Sequence, residues 1–296
     1  MSLSVIQGAL ELGLIFAIMS LGIFISFRIL NIPDLTIDGT FTLGTSVSAI
    51  FAVNGHPVLG VIFAIIAGGL AGCVTGFLQT KMKVQPILAG ILTMTALYSV
   101  NLRVMGQKPN LSLFDKESIF SGLTRLMGDQ YADLVMISLI LAVSIVAIFL
   151  FLKTQLGMSL RATGDNEDMV RASSINSDAM KIMGLAIANA FVALAGAILA
   201  QYQSFSDVSG GIGMMVVGLA SIIVGEAIFG RKSIIRSLLA VVIGAVVYRF
   251  VLTIALRIGL EAGDLKLFSA ILVTIAICIP TLKGFIVKRR GRCAKN

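Results

Sequence analysis

The sequence predicts an all-α fold, a polytopic bundle of transmembrane helices with about nine crossings, in a range of roughly eight to ten. Hydrophobic residues make up 57% of the chain and charged residues only 13%, whereas soluble domains carry about 25% charged residues. The mean hydropathy is +0.99. Apolar runs of about 20 residues, the length of one helical crossing, recur along the chain. This composition excludes an ordinary soluble globular protein.

Nine apolar segments have about the length that a helix needs to cross a bilayer. The second and the seventh are short and contain Gly or Thr. In order, the segments are residues 5–27, 38–54, 57–79, 84–104, 131–152, 179–203, 212–230, 235–256 and 266–284. Together they predict a single transmembrane domain over residues 1–296, without space for a soluble catalytic or nucleotide-binding domain.

Basic residues orient these segments, because Lys and Arg favour the cytoplasmic side of a membrane. They cluster at residues 81–83, 153–181 and 231–236 and in a basic tail at 285–296. Two crossings separate each cluster from the next, which predicts an outside N-terminus and an inside C-terminus. A re-entrant turn at residues 31–39 would change the count. The net charge of +8 therefore indicates membrane topology and lipid contact, and not nucleic-acid binding.

Two runs of small residues recur at the spacing of helix-packing faces. They are Gly68, Gly72 and Gly76 in the third segment and Ala193, Gly196 and Ala200 in the sixth. Such faces let helix backbones approach closely in lipid, where packing drives association. We expect these faces to pack within one subunit and not at a dimer interface.

Two carboxylates lie in an interrupted stretch after the first segment. Asp34 and Asp38 would each cost about 2.5–3.5 kcal/mol in hydrocarbon, so they should face water, protein or substrate. Pro33 and Gly39 flank them and interrupt the helix, and the freed backbone groups could bind a zwitterionic ligand. The alternative is that both carboxylates cap the second helix.

Four further polar residues interrupt apolar helices: Asn189, Gln201, Glu226 and Arg249. Asn189 and Gln201 either line a path or form hydrogen bonds between helices. Glu226 lies near the inner end of its segment and Arg249 toward the outer end of the next, so we do not expect them to pair. Arg249 is expected to extend to the outer membrane interface, as long basic side chains do.

No residue pattern indicates a metal site, a disulfide or an enzyme active site. His56 is the only histidine, and no second ligand lies nearby in the sequence. The three cysteines, Cys73, Cys278 and Cys293, are far apart. Residues 225–233 resemble a phosphate-binding loop, but an Arg interrupts the motif and the stretch ends a membrane helix. We expect no cofactor bound by this chain and no catalysis of its own.

The inner stretch from residue 157 to 177 predicts short helical structure between two crossings. Asp165 or Asn166 can cap a helix whose first turn holds Glu167 and Asp168, where the helix dipole favours acidic residues. Ser177 can cap the next membrane helix. Such a segment is suited to contact a cytoplasmic partner. The alternative is a solvated connection with ordinary caps.

This stretch resembles the coupling loop of the ABC importer permeases of the branched-chain amino-acid and ribose type. The residues on the family's pattern are Gly157, Arg161, Ala162, Gly164, Asn166, Ala172, Ile175 and Asn176. Ser174 replaces the usual Gly before Ile-Asn. The resemblance implies that a short cytoplasmic helix couples transport to ATPase subunits. The residues expected to couple are Arg161, Gly164, Asp165, Asn166, Glu167, Asp168, Arg171, Ile175 and Asn176.

A second resemblance covers residues 30–40, Leu-Asn-Ile-Pro-Asp-Leu-Thr-Ile-Asp-Gly-Thr. The family has a broken segment here that lines its transport path, and this form resembles a subgroup associated with aromatic amino-acid uptake. The glycine-rich run from Gly211 to Gly225 is also similar to the family. The predicted path or substrate residues are Asn31, Pro33, Asp34, Thr36, Asp38, Thr40 and Asn189.

The resemblance implies the permease subunit of an ATP-binding-cassette importer in the bacterial plasma membrane. The expected partners are a second permease copy, two ATPase subunits that carry ATP and Mg, and an extracytoplasmic solute-binding protein. The small-molecule substrate would be an amino acid. An ATP-independent secondary transporter or channel is the alternative, but it would carry inverted repeats with paired broken helices. A membrane enzyme is a third alternative, without a catalytic cluster to support it.

Overall fold

The computed structural model describes residues 3–121, 131–230, 233–259, 262–264, 267–271 and 274 of the chain. The helices are α1 Leu3–Ile23, α2 Thr36–Val53, α3 Pro57–Thr80, α4 Pro86–Val104, α5 Ala132–Lys153, α6 Gln155–Asp165, α7 Glu167–Ala172, α8 Ser177–Gln203, α9 Met214–Phe229 and α10 Ile234–Arg257. A π-helical stretch, Phe24–Ile29, extends α1, and a 3-10 turn, Ala262–Asp264, follows α10. Two short strands are β1 Asn110–Ser112 and β2 Phe205–Asp207.

Seven of the described helices are long and apolar enough to cross a membrane: α1 with its π extension, α2, α3, α4, α5, α8 and α10. Each coincides with one predicted segment. Helix α9 corresponds to the predicted segment 212–230 but has only 16 residues. At 1.5 Å per residue it rises about 24 Å, less than the roughly 30 Å hydrocarbon core. The ninth predicted segment, 266–284, lies mostly outside the described residues, and the basic tail lies entirely outside them.

Local sequence signals set where several helices begin and end. Pro57 and Pro86 occupy the first positions of α3 and α4, where no intrahelical N–H is needed and the fixed φ suits the helix. Asn31 has a left-handed φ of 56°, which ends the helical run after the π stretch. The interruption predicted at residues 31–39 is thus a short break at 30–35, which we call the break, between α1 and α2.

Helix α8 is the centre of the bundle and packs against α1, α2 and α3. Its contact with α3 runs through the small residues that the sequence singles out. A Cβ on Gly72 would overlap the carbonyl oxygen of Leu185, and a Cβ on Gly68 would overlap Ala193. The prediction that these faces pack within one subunit is confirmed.

The helices form two groups that meet at α8. Helices α2, α3 and α4 pack with one another, and α2 and α3 also pack on α8, whereas α9 packs on α10 and α10 packs on α1. Because α1 also contacts α8, it joins the two groups. The outward faces of α3, α4 and α5 are apolar and exposed, for example at Leu70, Leu92 and Leu139. Such faces suit contact with lipid tails.

One end of the bundle carries a two-stranded ribbon. Strand β1 pairs antiparallel with β2, with Asn110 opposite Asp207, and so joins the two loops that the charge pattern places outside. The N-terminal part of α1 lies at this end too, because the Tyr202 hydroxyl donates to Glu11 Oε2 at 2.7 Å. We call this the ribbon end.

The opposite end carries residues 154–177, which we call the connector, between α5 and α8. Here Lys81 Nζ, in the loop after α3, lies 3.1 Å from Asp178 Oδ2 at the start of α8. Both segments are placed inside by the charge pattern. The loops are therefore grouped at the two ends as the predicted alternation requires.

Gly72→Ala should destabilise the bundle more than Gly69→Ala. Both changes raise the helix propensity of α3 equally, but a Cβ on Gly69 would lie 3.8 Å from its nearest neighbour, the Ala186 carbonyl oxygen, at ordinary contact. Overpacking at Gly72 should cost about 1–3 kcal/mol. Thermal unfolding in detergent, followed by circular dichroism, measures the difference. Equal melting temperatures for the two variants would contradict the close packing of α3 on α8.

Candidate functional site

Asp34 is the buried centre of the break, with 1% of its surface exposed. Its Oδ1 accepts from the Thr36 backbone N–H at 2.9 Å, and its Oδ2 accepts from Asn189 Nδ2 at 2.7 Å. Thr36 Oγ1 lies 2.8 Å from Thr75 Oγ1 on α3. The carboxylate therefore caps the start of α2 and ties it to α8. Among the described residues, no cation forms an ion pair with Asp34.

Asp38 caps a different helix. Its Oδ2 accepts from the Gly213 N–H and its Oδ1 from the Met215 N–H, both at 2.8 Å. These amides belong to the first turn of α9, where backbone N–H groups lack helical partners and the dipole favours negative charge. The alternative in which both carboxylates cap the second helix therefore holds for Asp34 and is wrong for Asp38.

The start of α9 lies inside the bundle. Ser206 Oγ of β2 donates to Thr45 Oγ1 on α2 at 3.0 Å, and Asp38 precedes Thr45 by about two helical turns. That separation corresponds to roughly 10 Å of rise, so Asp38 holds the start of α9 about 10 Å below the ribbon. The loop at 208–213 descends into the bundle, which explains why α9 is short. Thr42 Oγ1 accepts from the Gly211 N–H there at 3.1 Å, as backbone buried away from water requires.

The predicted path residues fall into two sets. Asp34, Thr36, Thr40 and Asn189 are buried and hydrogen-bonded to one another or to the α2 backbone. Asn31 is exposed and Pro33 is half-buried. Asp38 lines a cavity of about 220 Å³ beside Tyr98 and Asn101 of α4. Contact of these residues with a substrate stays a prediction.

Gln201 forms hydrogen bonds between helices. Its Nε2 donates to Ser48 Oγ at 2.8 Å and to the Pro57 carbonyl at 3.0 Å, and its Oε1 accepts from the Ile119 N–H at 2.8 Å. It therefore ties α8 to α2, to the start of α3 and to the loop after β1. Of the two alternatives, hydrogen bonding between helices is confirmed for Gln201, whereas Asn189 bonds to Asp34 of the break and to Leu185 of its own helix.

A second cavity, of about 270 Å³, opens at the ribbon end between α1, α2, α8, α10 and the descending loop. We call it the ribbon-end cavity; its walls include Phe16, Phe41, Asp207 and Arg249. The expectation that Arg249 extends to the outer interface stays a prediction, and the structure places the residue at the ribbon end. The side chain is half-buried, with its guanidinium carbon 5.6 Å from the centre of the Phe16 ring. Sequence reasoning missed this site, because no local spacing relates residues on separate elements.

An ion pair joins the π stretch to α9 at the opposite end. Arg28 Nε lies 2.8 Å from Glu226 Oε1, and Arg28 Nη2 lies 3.1 Å from Glu226 Oε2. The geometry is bidentate, which makes the pair both strong and directional. Glu226 thus pairs with Arg28, in agreement with the expectation that it does not pair with Arg249. The pair and Arg161 of α6 line one cavity of about 220 Å³.

The caps of the connector are set by two asparagines. Asn166 Oδ1 accepts from the Met169 N–H at 3.1 Å and caps α7, so one of the two predicted caps is confirmed. Asn176 Oδ1 accepts from the Ala179 N–H at 3.1 Å and caps α8. The predicted cap at Ser177 is therefore wrong by one residue.

A charged network fixes the connector to the bundle. Glu167 pairs with Lys181 at 2.5 Å and with Arg171 at 2.8 Å. Arg171 also reaches Asp178 at 3.3 Å, and Asp178 pairs with Lys81. The hydrogen bond from Lys181, aided by the charges of Lys181 and Arg171, holds the pKa of Glu167 below its ordinary value against the effect of partial burial. Exposed pairs add little one by one, but a network with shared partners restrains the segment.

The connector packs directly on the break. A Cβ on Gly164 of α6 would overlap the carbonyl oxygen of Ile29 and approach Leu30, and the side chains of Leu30 and Leu160 both lie against Gly184. The connector is therefore in contact with the stretch that carries Asp34. Six predicted coupling residues are exposed, namely Arg161, Asp165, Asn166, Asp168, Arg171 and Asn176, and Gly164, Glu167 and Ile175 are half-buried.

The Arg28–Glu226 pair should show a large coupling energy. Arg28→Gln or Glu226→Gln alone leaves one charge without its partner in a largely enclosed site, so each should cost about 1.5–3 kcal/mol. The double variant should cost less than the sum of the single variants. Thermal unfolding in nanodiscs of the unmodified chain, the two single variants and the double variant gives the double-mutant cycle. Strictly additive effects would show that the two side chains do not interact.

Comparison with known proteins gives a consistent result. Residues 5–279 match a family model described as the permease component of branched-chain amino acid transport systems. The chain is 39% identical to the tyrosine transport system permease protein of Clostridioides difficile over 281 residues, which cover 95% of this chain and 92% of that one. It is 37% identical to an uncharacterized protein of Rickettsia prowazekii over 281 residues, which cover 93% of this chain and 97% of that one. It is 25% identical to the ribose import permease protein of Escherichia coli K12 over 272 residues, which cover 90% of this chain and 82% of that one. No solved structure matches the chain.

Proposed function

We propose that this chain, which belongs to the family of permease components of branched-chain amino acid transport systems, is the membrane-spanning subunit of an ATP-driven importer for an amino acid. It is a multi-pass protein of the bacterial inner membrane. The observation that carries the proposal is the contact between the connector and the break. An exposed, charged segment at one end of the bundle packs on the chain between two crossing helices.

We assign the coupling to ATPase subunits to the connector, which would face the cytoplasm. Its exposed residues include Arg161, Asp168 and Arg171, and Met169, which follows Asp168 in the sequence, has 69% of its surface exposed. An exposed apolar side chain in a charged segment is typical of a protein contact. A displacement of α6 would reach Ile29 through Gly164 and so move the break.

The complete importer in this proposal has two copies of the permease and two ATPase subunits, which hold ATP and Mg. An extracytoplasmic solute-binding protein would dock on the ribbon end. Exposed aromatic side chains support that assignment, since aromatic residues are enriched at interfaces. Phe114 is 79% and Phe205 is 49% exposed, next to the two strands.

The proposed substrate is an amino acid with an aromatic side chain. The relative named for tyrosine transport is 39% identical over nearly the whole chain, whereas the ribose permease described above is 25% identical. An ATP-independent secondary transporter is the competing function, and the following experiment distinguishes the two.

Proteoliposomes that contain this chain, its ATPase subunits and its binding protein should accumulate tyrosine only when ATP reaches the ATPase side. Omission of the binding protein should abolish uptake as well. Competition by unlabelled amino acids and by ribose then defines the substrate class. Uptake by this chain alone, without ATP, would overturn the importer proposal in favour of a secondary transporter.

Met169→Glu should reduce uptake and stimulated ATP hydrolysis by about tenfold or more, because a charge buried without a partner weakens an interface by over 1.4 kcal/mol. Phe114→Glu is the matched control at the ribbon end. It should impair stimulation by the binding protein but leave co-purification of the ATPase intact. Substitution of Gly164 is a poorer test, because its Cβ would disturb the break itself. Normal uptake by the Met169→Glu variant would remove the assignment of the connector to coupling.

A further inference from the structure

We infer that the ribbon-end cavity is a binding site for a zwitterionic amino acid with an aromatic side chain. This inference rests on the proposed function and adds a location and a chemistry to it. None of the residues predicted to line the path belongs to this cavity, so it is a site distinct from that prediction.

The cavity combines a cation, an anion and aromatic rings in one enclosure. Its volume of about 270 Å³ lies just below the roughly 300–1,000 Å³ of sites for drug-sized ligands, which suits a single amino acid. Six elements contribute walls, so the site depends on the whole ribbon end of the bundle. The residues used below are Phe16, Phe41, Phe205, Asp207, Met214 and Arg249.

Arg249 supplies a positive charge that has no anionic partner in the described part of the chain. It lies on α10, one of the helices that crosses the membrane, and its Nε is enclosed without a hydrogen-bond partner. Among the described residues no carboxylate pairs with it. An ionisable residue inside a membrane bundle is costly unless it is paired, and it therefore marks a functional site. A substrate carboxylate would complete it, because a guanidinium binds a carboxylate through two parallel hydrogen bonds.

Asp207 supplies the opposite charge. Its Oδ1 accepts from the Ser209 N–H at 2.7 Å, which fixes the carboxylate in the loop after β2. No Lys or Arg among the described residues pairs with it, and Arg249 in the same cavity does not. A cavity that keeps a cation and an anion apart is matched to a ligand with both charges. The ammonium group would face Asp207 and the carboxylate would face Arg249.

The apolar walls select an aromatic side chain. Phe16 and Phe41 are buried at 7% and 1% exposure, and Phe205 is half-exposed near the opening. Rings of this kind pack on another ring in offset or edge-to-face geometry. Ser206 and Thr45, two hydroxyl residues of the cavity, already bond to each other.

Occupancy of the cavity would act on the start of α9. Met214 lines the cavity and stands between Gly213 and Met215, whose amides are held by Asp38. A ligand in the cavity would thus touch Met214, the residue between the two whose amides donate to Asp38. This gives the site a direct contact with the helix that carries Glu226 at its other end.

Ligand binding to the chain alone, in nanodiscs and without ATPase or binding protein, tests the inference. Isothermal titration with L-phenylalanine up to about 10 mM should give saturable binding. Phenylalanine amide, which lacks the carboxylate, and 3-phenylpropionate, which lacks the ammonium group, should each bind about tenfold or more weakly. D-ribose should not bind. This ligand series uses the unmodified chain, so it does not depend on whether a variant folds.

Arg249→Gln should weaken phenylalanine binding by about tenfold or more, and it should bind phenylalanine and its amide with similar affinity. Arg257→Gln is the matched control, on the same helix but exposed, and should bind as the unmodified chain does. No saturable binding by the unmodified chain, or equal binding of phenylalanine and its amide, would overturn the site. ATP-dependent uptake without such binding would leave the importer proposal standing, whereas binding with ATP-independent uptake would refute that proposal and keep the site.

Discussion

Backbone amides that lie inside the bundle need hydrogen-bond partners, and two carboxylates on one short stretch supply them where helices begin. In a lipid-facing bundle each unpaired N–H would cost several kcal/mol. Asp34 provides an acceptor for the first amide of α2, and Asp38 provides two acceptors for the first turn of α9. The π stretch meets the same need before the break, because the Leu30 and Ile32 amides donate to Ile25 and Ser26 at 3.0 Å. Helices α2 and α9 can therefore begin inside the bundle instead of at its ends.

These contacts link the two ends of the molecule. The connector packs on Ile29 and Leu30, the break leads to Asp34, and Asp38 holds the start of α9. Helix α9 then runs back to Glu226, which pairs with Arg28 beside the connector. These contacts form a continuous chain from the connector to the start of α9 and back to the connector. Contiguity of this kind is the structural basis on which the proposed coupling would depend.

Much of the fold follows from patterns within single segments. Apolar length predicts nine crossing segments, and seven of them coincide with crossing helices among the described residues. The spacing of Gly68 and Gly72 predicts the packing of α3 within the subunit. Asn166 is identified as a cap because an N-cap acts on amides two or three residues away. Such signals act locally, so one sequence is enough to detect them.

The missed features depend on residues that are far apart in the chain. Glu226 pairs with a residue 198 positions away, and Asp38 caps a helix that begins 176 residues after it by number, at Met214. The contact of Arg249 with the Phe16 ring is missed for a related reason. Hydropathy predicts how deep Arg249 lies along its helix. The direction in which its side chain points depends on the neighbouring helix, because the Phe16 ring that it contacts lies on α1, which packs on α10.

The division of the bundle into two groups has a geometric consequence for the ribbon-end cavity. Phe41 belongs to the group of α2, α3 and α8, whereas Phe16 and Arg249 belong to the group of α1, α9 and α10. The cavity thus lies between the two groups of helices, and its width depends on how the groups are placed relative to each other. A molecule bound in this cavity would contact both groups of helices and would so hold them at one separation.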